Sequence, residues 1–124
     1  VGSRPSLLRR LTASAQHLDA AELRDEVERQ SCTPLGVVGR GSMVTVTGRL
    51  RAVVYTPAET VPTLEAELFD GTAAIELVWL GRRRIAGIEP GRRIKATGRV
   101  GVHDGRLAIY NPWYQLLPAP GEAA

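Results

Sequence analysis

An all-β domain of five strands closed into a Greek-key barrel, behind a helical N-terminal extension, is the fold class that this sequence predicts. Three observations predict it. Residues 61–81 alternate apolar and polar side chains on both sides of an Asp70-Gly71-Thr72 turn. The stretches 43–55 and 92–103 repeat that alternation. Between the third and fourth strands lies a segment with room for about two helical turns, so the element order is β-β-β-α-β-β.

The extension comes first. Leu7, Leu8, Leu11, Ala15 and Leu18 recur at helical spacing, and Asp19 followed by Glu22 reads as a capping box that starts a second helix over 20–30. Leu23 and Val27 share one face of it, with Glu22, Arg24, Glu26 and Glu28 on the polar side. So thin a stripe is marginal alone and needs the sheet domain or another subunit to dock on. Pro34 and the glycines up to residue 41 end the helix.

In the first strand Val44, Val46, Leu50, Ala52 and Val54 point inward, while Thr45, Thr47, Arg49, Arg51 and Tyr55 point outward. Gly48 interrupts the inner face and suggests a bulge or bend. With 70–73 as a loop, Leu68 falls opposite Ile75, Ala66 opposite Leu77 and Leu64 opposite Trp79, all on one face. The same parity sets Ala52 against Leu64, Val54 against Pro62, Arg51 by Glu65 and Arg49 by Glu67. Glu67 faces Glu76, an unfavourable pair that Arg49 is placed to relieve. Residues 82–88 form the short helix, and Glu89-Pro90-Gly91 is a turn. In the fourth strand Ile94, Ala96, Val100 and Val102 point inward, and Arg93, Lys95, Thr97 and Arg99 outward. Asp104-Gly105 closes a hairpin with a fifth strand over 106–117, where Pro112 marks an edge or a bulge. The organisation expected is therefore an extension, 1–34, a sheet domain, 35–117, and a flexible tail, 118–124.

At 124 residues the chain is long enough for one domain with a core of its own. Cys32 is alone, so a disulfide framework or a cysteine zinc site within the chain is excluded. No apolar run approaches the roughly eighteen residues of a membrane span, and the start, VGSRPSLLRRL, lacks a signal-peptide core. A cytoplasmic protein without a membrane partner is expected. Residues 1–34 are charge-balanced, whereas 35–117 carry ten arginines and Lys95 against seven acids. That excess suits a polyanion-binding surface. With fifteen arginines to one lysine, it equally suits a high-GC genome.

A long, bent first strand with a helix between strands three and four matches the OB-fold; a small open sandwich and an SH3-like barrel are the alternatives. The stretches VTVTGRLRAVVY, LEAELFDGTAAIELVWLG, IEPGRRIKATGRV and LAIYNPWYQLL resemble the OB-fold wedge domain of RecG-type DNA helicases. That family shows a comparable series of GxV, SDGTG, LxLVxFN, GxxVxVxGxV and Pro-x-Tyr. The chain as a whole resembles small stand-alone actinobacterial OB-fold nucleic-acid-binding proteins. The resemblance implies an OB-fold and binding to nucleic acid, single-stranded DNA first. It does not extend to the helicase motor, because the chain has no GxxxxGKS/T phosphate loop.

An OB-fold binds single strands across its second and third strands, with stacking aromatics and a basic groove. Glu65, Glu67 and Glu76 on those strands argue against that face. The cations lie elsewhere: Arg51, Arg93, Lys95 and Arg99 on the first and fourth strands, Arg82, Arg83 and Arg84 at the short helix, and Arg106 on the fifth. The arginine triplet reads as a phosphate contact or as a solvated charge run. Tyr55, Tyr110 and Trp113 are the candidate stacking residues, Trp113 foremost unless it packs under the extension; Trp79 belongs to the core. His17 and His103 lack a neighbouring nucleophile or metal-ligand spacing, and Asp70 and Asp104 are explained as turn residues. No enzyme, cofactor or metal is expected. A protein partner or a second copy docked on residues 5–30 is the alternative to nucleic acid.

Overall fold

The computed structural model describes residues 3–118, with side chains from residue 15 onward. Leu7, Leu8 and Leu11 of the expected helical stripe, and the tail over 119–124, lie outside the described side chains. The elements are one helix, α1 (Ser3–Arg29), a 3-10 turn (Leu35–Val37), and six strands. These are β1 (Met43–Thr56), β2 (Thr63–Phe69), β3 (Ala74–Leu80), β4 (Arg93–His103), β5 (Arg106–Tyr110) and β6 (Trp113–Leu117). The strands form one sheet in the order β1-β2-β3-β5-β4-β6, and β1 also pairs with β4. Five strands therefore make a ring, β1-β2-β3-β5-β4, with β6 added along β4. The β3–β5 contact is parallel and the others are antiparallel. Among the described residues no helix is long and apolar enough to cross a membrane.

The β2–β3 register is the one that alternation predicts: Leu68 opposite Ile75, Ala66 opposite Leu77, Leu64 opposite Trp79. All six are buried inside the ring with Val44, Val46, Leu50, Ile94, Ala96 and Val100. Trp79 meets Tyr114 edge-on there, at 5.8 Å between ring centroids.

Beyond Leu50 the expected parity of β1 fails. A bulge between Leu50 and Ala52 shifts the register by one, so that Ala52 faces Glu67, Val53 faces Ala66 and Tyr55 faces Leu64. Ala52 and Val54, expected inside, are exposed; Val53 and Tyr55 turn inward instead. Gly48 is not the bulge. A Cβ there would lie 2.4 Å from the Phe69 carbonyl oxygen, so glycine permits a close approach of two backbones. Four further expectations are corrected. The extension is one continuous helix, because Asp19 sits within it and pairs with Arg49 on β1 rather than capping a second. Residues 82–92 form turns without a helix, with Ile85 and Ile88 buried and the Ile88 N–H bonded to the Ile85 carbonyl. The fifth strand breaks at Asn111 (φ 46°) and Pro112 into β5 and β6. Val102, expected inside, is exposed near the β4–β5 hairpin.

Asp70 does far more than occupy a turn. It is fully buried. Its carboxylate accepts from the backbone N–H of Thr72 at 2.8 Å and of Ala73 at 3.1 Å, and from the Thr72 hydroxyl at 2.6 Å. Its other oxygen accepts from the Leu35 N–H at 2.7 Å, which ties the 3-10 turn to the β2–β3 loop. The same loop receives α1. Gly71 (φ 93°) packs so closely that a Cβ would sit 2.3 Å from the Ala20 carbonyl oxygen, and Arg24 donates to the Gly71 carbonyl at 3.2 Å. Leu23 and Val27 are the buried face of α1, while Ala15 and Leu18 are exposed.

Asp70→Ala would strand the buried N–H of Leu35 and the half-buried N–H of Ala73, and is expected to lower the unfolding free energy by about 3 kcal/mol. Asp70→Asn keeps an acceptor for the loop but opposes its amide to Leu35, and should cost about half as much. Urea denaturation of the two variants beside the parent measures both.

Candidate nucleic-acid interface

The β1 bulge and the 81–92 loop together build one end of the ring. The bulge rotates Tyr55 toward the ring interior beside Leu64. Gly81 (φ 75°) turns the chain out of β3, and Ile85 and Ile88 drop into the core and anchor the loop. A Cβ at Gly87 would lie 2.4 Å from the Leu116 side chain, so the loop is also held against β6. Arg82, Arg83 and Arg84 are left exposed at the rim. A cleft of about 350 Å³ opens there. Val53, Leu64, Ile85 and Ile88 form its apolar floor, and Tyr55, Arg83 and Arg84 its exposed edge. The Arg83 guanidinium lies 5.8 Å from the centre of the Tyr55 ring, within cation–π range. Among the described residues none of the three arginines is in an ion pair.

The outer face of β2, β3 and β5 is charged, and its cations are held by its own carboxylates. Glu67 stands opposite Glu76, as the alternation requires. Arg49 does not relieve that pair, since it is drawn to Asp19. Arg106 does, 3.0 Å from Glu76 and 3.9 Å from Glu67, and Arg51 reaches Glu67 at 2.8 Å while lying 4.2 Å above the Phe69 ring. His103 bridges Glu65 at 2.7 Å and Tyr110 at 2.9 Å, and the Tyr110 hydroxyl donates to the Val102 carbonyl at 3.1 Å. Arg51, Arg106 and Tyr110, read from the sequence as contacts for nucleic acid, are thus engaged within this face.

The remaining candidates lie on the outer face of β4 and β6. Arg93 is buried, 3.8 Å from Glu22 of α1, and so is withdrawn from any ligand. Lys95 is half-buried, and Arg99 donates to the Gly41 carbonyl at 2.6 Å. Trp113 is 64% exposed and therefore not packed beneath the helix. It is paired through Thr97 with Thr45, ten residues before Tyr55 on β1 and on the opposite face of the sheet. The structure brings Tyr55 together with Arg83 and Arg84, leaves Arg82 exposed next to them in the chain, and sets Trp113 apart on another face. The apolar floor was missed in sequence, where residues 82–88 read as a short helix.

Three titratable groups depart from their ordinary values; against the opposing effect of burial, hydrogen bonds from Gln30 and Arg29 hold the Glu26 carboxyl low. Burial pushes the Cys32 thiol up, which keeps it protonated. The hydrogen bond that His103 donates to Glu65 raises the imidazole, opposed by partial burial and aided by the charge of Asp104.

No protein-family model matches this chain, and no curated protein matches it in sequence. Its fold is similar to part of RecG in a structure of that protein bound to a three-way DNA junction. The TM-score is 0.58 with 23% sequence identity, over 72% of this chain and 13% of the RecG chain. This chain thus corresponds to a small part of RecG, and the likeness is one of fold. RecG is also the helicase type whose wedge domain the sequence motifs resemble.

A His103 raised in the folded state stabilises it fully below the unfolded value near 6.5, and that contribution is lost as pH rises through the folded value. Unfolding free energy measured with EDTA present should therefore fall from pH 6.5 upward, and Glu65→Gln should flatten the decline.

Proposed function

We propose that this chain is a non-enzymatic OB-fold module that binds single-stranded or junction nucleic acid with little sequence preference. The observation that carries the reading is the exposed arginine triplet, free of ion pairs among the described residues, of which Arg83 and Arg84 join Tyr55 at the edge of an apolar cleft. Guanidinium groups neutralise phosphates whatever the sequence, and an aromatic face beside an apolar floor accepts the π-face of any base. The fold it shares with part of RecG supports the reading, since that protein was solved on a DNA junction. The other exposed cations are largely spent on carboxylates or carbonyls, so the charge excess counted in sequence is concentrated at this rim.

A second reading, assembly with a protein partner or another copy, is favoured by one observation. Leu18 is 64% exposed on α1, on the side turned away from the buried Leu23 and Val27. A stable dimer in light scattering that Leu18→Gln abolishes would support it.

Fluorescence anisotropy with labelled single-stranded, duplex and forked oligonucleotides at two salt concentrations tests the main reading. Single-strand affinity should fall with salt, with a log–log slope of about −0.7 for each phosphate contacted. Replacing Arg82, Arg83 and Arg84 together by Gln should reduce that slope by about 2 units. Tyr55→Ala should cost about 1–3 kcal/mol of affinity. Trp113→Ala, on another face, should cost far less. An absence of binding at low salt overturns the reading.

A further inference from the structure

The outer face of β2, β3 and β5 holds an arrangement that the nucleic-acid reading does not use. His103 ends β4, and Asp104 (φ 51°) turns the hairpin that follows. The hairpin sets the imidazole Nε2 2.7 Å from Glu65 Oε1 and 3.5 Å from Asp104 Oδ2. On its other side Nδ1 is 2.9 Å from the Tyr110 hydroxyl.

Hydrogen-bond accounting ties what Nε2 carries to the Tyr110 proton. Tyr110 donates its single hydroxyl proton to the Val102 carbonyl, which can only accept. With the Tyr110 proton on that carbonyl, Nδ1 donates to the Tyr110 oxygen; with it on Nδ1 instead, Nε2 carries the hydrogen and donates to Glu65. In a neutral imidazole the first arrangement leaves Nε2 with a lone pair aimed at two carboxylate oxygens. The three donor atoms lie within 4.8 Å of one another. Three electron-rich atoms so placed suit a positive charge among them, whether a proton or a metal ion. The surroundings ask for the same charge: Glu65, Glu67, Glu76 and Asp104 meet two guanidinium groups, Arg51 and Arg106, which leaves two negative charges uncompensated.

We propose that Glu65, His103 and Asp104 bind a divalent cation of the zinc class. One imidazole nitrogen with two carboxylate oxygens suits a borderline metal better than a hard one. Three protein donors leave a fourth position for water. Zinc bonds of about 2.0–2.1 Å hold tetrahedral donors about 3.3 Å apart. Opening the Glu65–His103 contact slightly and drawing in Asp104, 83% exposed at the hairpin tip, meets that requirement. Tyr110 supplies the outer-shell hydrogen bond that fixes the tautomer of a ligating histidine. An adjoining hollow of about 310 Å³ leaves room for the water. The sequence has no metal spacing because the ligands come from β2 and from the β4–β5 hairpin.

A proton on Nε2 is the competing occupant, and the experiment separates the two. The full chain is titrated with Zn2+ and, separately, Mg2+ near neutral pH by calorimetry, and imidazole nitrogens are followed by long-range proton–nitrogen NMR. One Zn2+ per chain is expected, with a shift at His103 Nε2 while Nδ1 stays protonated; Mg2+ gives neither. His103→Gln and Asp104→Asn should weaken binding about tenfold or more, and Tyr110→Phe, which keeps all three ligands, about tenfold. Cys32→Ser and His17→Asn should leave it unchanged. Binding that survives His103→Gln, a shift confined to His17, or no heat with Zn2+ in large excess would overturn the proposal and leave a proton as the only occupant. Should His103→Gln fail to fold, the Nε2 shift in the parent chain decides.

Discussion

A single buried carboxylate holds three parts of this chain in place. Asp70 closes the β2–β3 loop on itself and, with its second oxygen, fixes the Leu35 N–H of the segment that enters β1. The loop it shapes is the surface on which Ala20 and Arg24 of α1 rest. A buried charge is tolerated only where hydrogen bonds replace its water, and here three backbone N–H groups and a hydroxyl do so. The apolar face of α1 among the described side chains is little more than Leu23 and Val27, so its docking leans on this loop and on the pairs of Asp19 and Glu22 with Arg49 and Arg93.

How much could be read in the sequence follows from where side chains discriminate between faces. The β2–β3 hairpin was legible because six large apolar residues and a four-residue loop agree on one register. The bulge at Arg51 was not, because Val53 and Val54 are equally apolar and either parity can be written through them. Gly48 drew attention as an irregularity, yet its absent side chain serves the Phe69 carbonyl. Ile85 and Ile88, three residues apart, fit a helix or a turn that buries both; in so short a segment core filling outweighs helical hydrogen bonding. Asp19 and Glu22 have the spacing of a capping box, but a tertiary cation on β1 takes Asp19 and the helix runs through.

The candidate site was legible as charge and illegible as geometry. Counting finds an excess of arginine in the sheet domain but cannot tell a paired guanidinium from a free one. The fold consumes Arg49, Arg51, Arg93 and Arg106 in contacts with Asp19, Glu67, Glu22 and Glu76, each distant in sequence. Local reading had to treat all of them alike. Surface ion pairs of this kind add little to stability, but they remove cations from the set available to a polyanion.

The bulge joins fold to function. Had β1 kept its parity, Tyr55 would lie on the outer face among Glu65 and Glu67, where a phosphate backbone is repelled. One extra residue turns it across the sheet, against Leu64 and under Arg83. The same step moves Val53 into the floor of the cleft and brings Ala52 and Val54 out. An aromatic ring is thereby transferred from an acidic surface to a basic rim without any change in composition. Bulges that re-aim a side chain beside a site recur in sheets, and β1 places its own where the exposed arginines of the 81–92 loop can act with the ring it delivers.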